Sequence, residues 1–213
     1  MADLLQAQDV HVTYRTPAGS VTALADVSVS VPDQGMTVLA GPSGSGKSTL
    51  LRVLSLVEKP TSGEVLLNGS PTVPLSAARR RALRRKDIAL VFQNPADNLI
   101  THLTVADNLR AAAQAAGRPE DVEAVLEQLG LPGTENWRVP ALSGGQQQRL
   151  AFGCALARGA SVVLADEPTS QLDAVSADLV LQTLATLPVP VVVASHDPRL
   201  ISLADKTFSM VAA

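Results

Sequence analysis

MTVLAGPSGSGKSTLLRVLSLVE (36–58) decides the fold. MTVLAG (36–41) is a short apolar strand, and GPSGSGKS (41–48) fits the spacing G-x-x-x-x-G-K-S. KSTLLRVLSLVE (47–58) then has helical character, so the motif sits between strand and helix as its physics requires. Gly41, Gly44 and Gly46 let the backbone bend until successive N–H groups converge on phosphate oxygens, with Ser43, Ser45 and Thr49 in the same cradle. Lys47 directs a point charge at the terminal phosphates, and Ser48 offers a hydroxyl to Mg²⁺. A P-loop alone leaves the reaction open, because kinases, GTPases, transport ATPases and repair ATPases all use one.

Outward from this stretch, IALVFQ (88–93), SVVLAD (161–166), VPVVVAS (189–195) and DKTFSMV (205–211) read as strands with helices between them. Continuous apolar strands alternating with helices predict a mostly parallel sheet covered on both faces. HVTY (11–14) and VTALADVSVSV (21–31) alternate in polarity and predict an antiparallel hairpin through TPAGS. EVLLNG (64–69) adds a strand that turns at Asn68-Gly69. SAARRRALRRK (76–86) reads as a basic helix. From about 94 to 158 strand signals vanish, and TVADNLRAAAQAAG (104–117) and PEDVEAVLEQLG (119–130) have helical spacing. The expected architecture is one α/β domain over 1–213: a core at about 1–93 and 159–213 with an N-terminal antiparallel β layer, and a helical subdomain inserted at about 94–158.

Apolar residues form 46% of the 213-residue chain, enough for a sizeable core. Its 17 basic and 20 acidic residues offer no overall charge for nucleic acid. One cysteine, Cys154, excludes an internal disulfide framework. MADLLQAQDV (1–10) lacks the pattern of a signal peptide, and apolar runs such as VPVVVA (189–194) fall far short of a membrane helix. Service to a membrane therefore requires a second polypeptide to span it.

VVLADEP (162–168) is a buried-type strand ending in two acids, at the sheet edge where ligands bind. Asp166 is placed to hold Mg²⁺ and Glu167 to polarise an attacking water, and capping of the next helix is the plainer alternative. VVVASHD (191–197) ends at the same edge. His196 there can meet a terminal phosphate or hold water with Glu167, although a lone histidine is more often structural. A second anion-binding pattern is LSGGQQQR (142–149), where Ser143 can cap a helix and Gly144 and Gly145 allow close backbone approach. Taken alone, an ordinary capped helix is the lesser alternative.

In their order, GPSGSGKST, VFQ, LSGGQ, LADEPT, SQLD and SHD resemble the ATP-binding cassette (ABC) ATPases across practically the whole chain. That resemblance implies a RecA-like P-loop NTPase core, ATP and Mg²⁺ as ligands, and catalysis by Glu167, His196, Lys47 and Gln93. Ser48, Gln93 and Asp166 are then the metal-side residues. It also explains why one chain has two anion sites. Each ATP lies between one copy's P-loop and Ser143, Gly144, Gly145 and Gln146 of a second copy, in a head-to-tail dimer. Tyr14, the chain's only tyrosine, matches the aromatic that stacks on adenine, against the alternative of a tyrosine filling the β layer. Asp173 matches the loop that touches the opposite subunit. Gln171 and Cys154 depart from the residues frequent at their positions, without removing a catalytic group.

Within the family, LADEPT and THLTVADNL resemble the ATPases of lipoprotein-releasing, macrolide-exporting and cell-division transporters. VFQNP is also similar to uptake-type, energy-coupling ATPases, and a regulatory ABC ATPase is a further alternative. The resemblance implies a peripheral subunit at the cytoplasmic face of the membrane, docked on a permease through the helical lobe. Leu99, Ile100, Leu103 and Val105 are candidates for that contact or for plain core packing. The basic run 79–86 reads as a solvated helix face, or as a contact for anionic lipid or an acidic partner.

Overall fold

The computed structural model describes residues 3–17, 19–119 and 121–211. Strands β1 (Asp3–Thr16) and β2 (Gly19–Pro32) form the expected hairpin, and its turn residue Ala18 lies outside the described residues. β4 (Ser62–Leu67) pairs antiparallel with β1, and β5 (Ser70–Pro71) pairs with β4 through a turn where Asn68 and Gly69 have φ of 50° and 73°. These strands make the antiparallel layer, in the order β2-β1-β4-β5.

The second sheet holds β3 (Met36–Ala40), β6 (Ile88–Val91), β7 (Val162–Asp166), β8 (Val191–Ser195) and β9 (Lys206–Ser209). Its order is β6-β7-β8-β3-β9, and every pairing within it is parallel. The central strands bury both faces, which is why they read as unbroken apolar runs. Met36, Val38, Val163, Ala165, Val191 and Val193 point into one core with the helical lobe. Their neighbours Leu39, Val162, Leu164, Val192 and Ala194 point into the other, shared with the antiparallel layer. Helix α1 (Lys47–Leu54) lies in that second core, with Leu50, Leu51, Val53 and Leu54 fully buried.

Helix α2 (Ala77–Lys86) is capped by Ser76 and buries no residue. Between 94 and 158 the described residues form helices α3 (Val105–Ala115), α4 (Val122–Gln128) and α5 (Gly144–Ala157), with two 3-10 turns and one isolated bridge. The predicted helix over 119–130 is thus met at 122–128, and Glu120 lies outside the described residues. α6 (Ala174–Thr186) and α7 (Pro198–Leu203) complete the alternation. The lobe's candidate contact residues divide: Leu99 and Val105 are core, whereas Ile100 is exposed.

This strand order positions the site. The chain leaves β3 for the far edge at β6, then returns through β7 and β8 to fill the gap. The carboxyl ends of β6, β7, β8 and β3 therefore follow one another along one edge of the sheet, the side on which open α/β sheets bind ligands.

Candidate active site

At that edge lies a cleft of about 460 Å³. Ser43, Gly44, Gly46, Lys47, Ser48 and Thr49 form one wall, and Gln93, Glu167, Ser170 and His196 face them. Val21, Thr22 and Ala23 of β2 close one side. A larger cavity of about 580 Å³ opens at the opposite end of β3 and β8, but its Asp205 is spent accepting from Met36 N at 2.7 Å. Convergent chemistry, not size, marks the first.

Gly44 and Gly46 have φ of +83° and +86°, the left-handed region that glycine reaches without strain. A Cβ on Gly46 would stand 2.5 Å from Ala23 O, whereas one on Gly44 would meet nothing within 4 Å. α1 starts at Lys47 with no side-chain cap, so its first N–H groups remain free for an anion at the cleft. Lys47 is buried, and its ammonium reaches Gly41 O at 2.7 Å, Pro42 O at 3.0 Å and Glu167 Oε1 at 3.5 Å. Two of its three donors are engaged by loop carbonyls, and the ammonium is ion-paired with Glu167 across the cleft. Gly41 and Ser45, expected in the cradle, do not line the cleft. Ser45 Oγ is buried behind the loop, and a Cβ on Gly41 would meet Met210 O at 2.4 Å and Ser45 Oγ at 2.8 Å.

Ser48 Oγ donates to Asp166 Oδ1 at 2.9 Å. Burial pushes the Asp166 carboxyl above its usual range, with the Ser48 bond working against it and Glu167 adding to it. A hydroxyl and a half-buried carboxylate are hard oxygen donors, and among the described residues no cluster of three metal-ligating side chains exists. That set fits Mg²⁺, which takes few protein ligands and completes its shell with phosphate and water.

Glu167 is the most constrained residue of the site. Its backbone lies at φ 43°, which costs a side-chain-bearing residue about 1–2 kcal/mol. Its N–H is fixed to Ala194 O at 2.9 Å. Oε1 lies 3.0 Å from His196 Nδ1, and Oε2 accepts from Ser195 Oγ at 3.3 Å. Ser195 Oγ is itself oriented by the Asp197 N–H at 3.0 Å. With Nδ1 turned to Glu167, any phosphate contact of His196 falls to Nε2. Gln93 reaches neither Ser48 nor Asp166; its Nε2 donates to Ser170 Oγ at 3.1 Å, and Ser170 Oγ donates to Glu167 O at 2.9 Å.

Ser143 caps α5: its Oγ accepts from Gln146 N at 3.3 Å while Gln146 Oε1 accepts from Ser143 N at 2.8 Å. Gly145 is needed by the fold itself, since a Cβ there would stand 2.8 Å from Ser176 Cβ on α6. None of Ser143–Gln146 lines the P-loop cleft; Gly144 borders a separate small pocket with Gln171 and Leu172. Asp173 caps α6 through Ser176 N at 3.0 Å, and that bond lowers its pKa. Tyr14 packs against the β-layer core. No described atom has hydrogen-bonding geometry to its buried hydroxyl, yet burial first, then nearby Glu58, raise its pKa.

Sequence reasoning missed Ser170 and Ser195. Both lie in the quoted motifs SQLD and SHD, but nothing local in the sequence marks either as a partner of Glu167 or Gln93.

Fold and cleft define a P-loop nucleoside-triphosphate-binding protein with an inserted helical lobe. A family model described as ABC transporter matches residues 24–170. The chain is 36% identical to the lipoprotein-releasing system ATP-binding protein LolD of Shewanella oneidensis, across 97% of this chain and 93% of that protein. It is 35% identical to the macrolide export ATP-binding/permease protein MacB of Syntrophobacter fumaroxidans, across 92% of this chain but only 29% of MacB. Among solved structures, the dimeric ATP-binding cassette MJ0796 bound to ADP and Pi superposes with a TM-score of 0.84 at 30% identity, covering 97% of this chain and 94% of that one. The cbiO1 cassette from Clostridium perfringens shares the fold, with a TM-score of 0.82 at 24% identity over 99% of this chain and 85% of that one. The chain belongs to the ABC transporter ATPases. Among its described residues no helix is long and apolar enough to cross a membrane.

Proposed function

We propose that this chain is the ATP-hydrolysing subunit of an exporter-type transporter, peripheral to the cytoplasmic face of the membrane. Two copies close head-to-tail around two ATP and drive a separate permease. One observation carries the reading. The P-loop, Glu167, His196 and Gln93 share a cleft, with Asp166 bonded to Ser48 in its wall, while Ser143 of the same chain lies exposed outside it. Two half-sites that do not share a cleft within one chain make whole sites only between copies. Relatives named for lipoprotein release and macrolide export favour export over the uptake alternative.

In this reading the loop N–H groups and the open end of α1 hold the phosphates, and Lys47 trades a loop carbonyl for a phosphate oxygen. Ser48 and Asp166 would hold Mg²⁺, with Gln93 lining the same cleft nearby, and the ion would neutralise phosphate charge. Glu167, steered by His196 on one oxygen and Ser195 on the other, takes a proton from the water that attacks the γ-phosphorus. Tyr14 offers its ring to adenine, and Asp173 meets the opposite copy. Product release lets the copies part.

Glu167→Gln tests the base. The variant should bind ATP as before, lose on the order of 10²–10⁴-fold in turnover, and run as an ATP-dependent dimer in gel filtration. Unimpaired hydrolysis by this variant would falsify the assignment.

A further inference from the structure

We infer that Asn98 is a positioning residue for Gln93, standing in for an absent strand on the free edge of β6; this rests on reading Gln93 as part of the catalytic cleft. β6 is the outer strand of its sheet and pairs only with β7. The backbone groups on its other edge therefore need partners from elsewhere. Arg158 Nη2 donates to Ile88 O at 3.1 Å, and Asn98 supplies two further partners. Its Nδ2 donates to Leu90 O at 2.7 Å, and its Oδ1 accepts from Phe92 N at 2.8 Å. A planar amide presents one donor and one acceptor side by side, as a neighbouring strand would.

The geometry makes a staple. Asn98 ends the 3-10 turn Pro95–Asn98, and Asn94 closes the start of that turn by accepting from Ala96 N at 3.2 Å. The chain thus leaves the sheet after Val91 and is pinned back to the same edge at Asn98. Gln93 is held between Phe92, whose N–H donates to Asn98, and Asn94, which caps the turn. From there its side chain reaches Ser170, which in turn holds the carbonyl of Glu167. Leu99, the next residue, is buried in the core shared with the helical lobe, so the staple sits where lobe and sheet join.

The test is a double-mutant cycle on the full chain, with kcat and KM for ATP in excess Mg²⁺ and a thermal melt for each variant. Asn98→Leu removes both hydrogen bonds at similar volume. It should lower kcat on the order of tenfold or more while KM stays within about twofold. In the Gln93→Ala background the same substitution should change kcat by less than about twofold, because nothing remains to be positioned. Asn98→Asp keeps the acceptor for Phe92 N–H and loses the donor to Leu90 O, so its kcat should fall between the two. If Asn98→Leu does not fold, Asn98→Asp carries the same comparison in both backgrounds. Equal losses with and without Gln93, or an unchanged kcat on disrupting Asn98, overturn the proposal and leave Asn98 a cap on a strand edge. A normal kcat in Gln93→Ala alone overturns the prior reading of Gln93 instead.

Discussion

Asp166 is stabilised for its partner, not for the ligand-free fold. Its folded pKa lies above the ordinary carboxylate value, with burial as the first cause. Between those two pKa values the folded state holds more protons than the unfolded one, so stability falls as pH rises through that window and stays lower above it. Asp166→Asn removes the loss while keeping an acceptor for Ser48. The variant should melt higher than the parent at pH 7, with the gap closing near pH 3, and should lose Mg²⁺-dependent hydrolysis; thermal melts at both pH values decide it. The glycines separate in the same way. Gly46→Ala puts a methyl 2.5 Å from Ala23 O, a backbone atom of β2 that cannot yield, so it should lose well over the roughly 1–2 kcal/mol of the left-handed backbone alone. Gly44→Ala meets no atom and should stay near that lower figure. It should nonetheless bind nucleotide poorly, because its methyl occupies the cleft. Urea unfolding and a fluorescent-nucleotide titration measure the two effects independently; equal stability losses would remove the distinction.

At the scale of elements, strands β3, β7 and β8 were legible because burial on both faces leaves an unbroken apolar run, and their carboxyl ends carry the candidate groups. α1 was less so. Helical spacing runs on to Glu58, but the helix stops at Leu54. Leu56 takes a left-handed φ of 58° to stay buried, Arg52 O receives the N–H groups of both Val57 and Glu58, and Arg84 donates to Leu56 O at 2.5 Å. Tertiary packing overrides the local pattern there, and nothing within 47–58 announces it. Ser195 and Ser170 were illegible for a related reason: their partners lie 28 and 77 residues away, across strands whose order the sequence does not state. α2 was read as a helix over 76–86 and spans Ala77–Lys86; the structure adds Ser76 as its cap, and the helix has a correctable flaw. Its first turn carries no acid, while Arg79, Arg80 and Arg81 repel one another at the positive end of the helix dipole. Arg79 N already bonds Ser76 Oγ at 3.3 Å. Arg79→Glu would complete a capping box like that of Ser143 and Gln146, and should stabilise the chain by about 0.5–1.5 kcal/mol in urea with ATPase activity unchanged. A lowered urea midpoint would show that the arginine is doing something the helix needs.

The first turn of α5 stays outside the cleft of its own chain, and this separation has a consequence that no single-chain site shares. Ser143 satisfies Gln146 N, and Gln147 N bonds Ser143 O at 2.9 Å, but the N–H groups of Gly144 and Gly145 have no partner among the described residues. In the proposed head-to-tail pair they would meet a phosphate held by the other copy. Two-fold symmetry repeats every contact, so each proposed site would join the P-loop of one chain to Ser143 of the other. Lys47→Ala disables a chain's cleft, and Ser143→Arg disables the face it lends. Each variant alone should be inactive, because both sites of its dimer carry one lesion. A mixed dimer concentrates both lesions in one site and leaves the other whole. Mixing the two inactive proteins in equal amounts should therefore restore hydrolysis, up to about a quarter of the parent's sites if pairing is random. The doubly substituted chain, with both lesions in cis, should restore nothing when mixed with either. Hydrolysis by Ser143→Arg on its own, or a mixture as inert as its components, would mean that the nucleotide never crosses from one copy to the next.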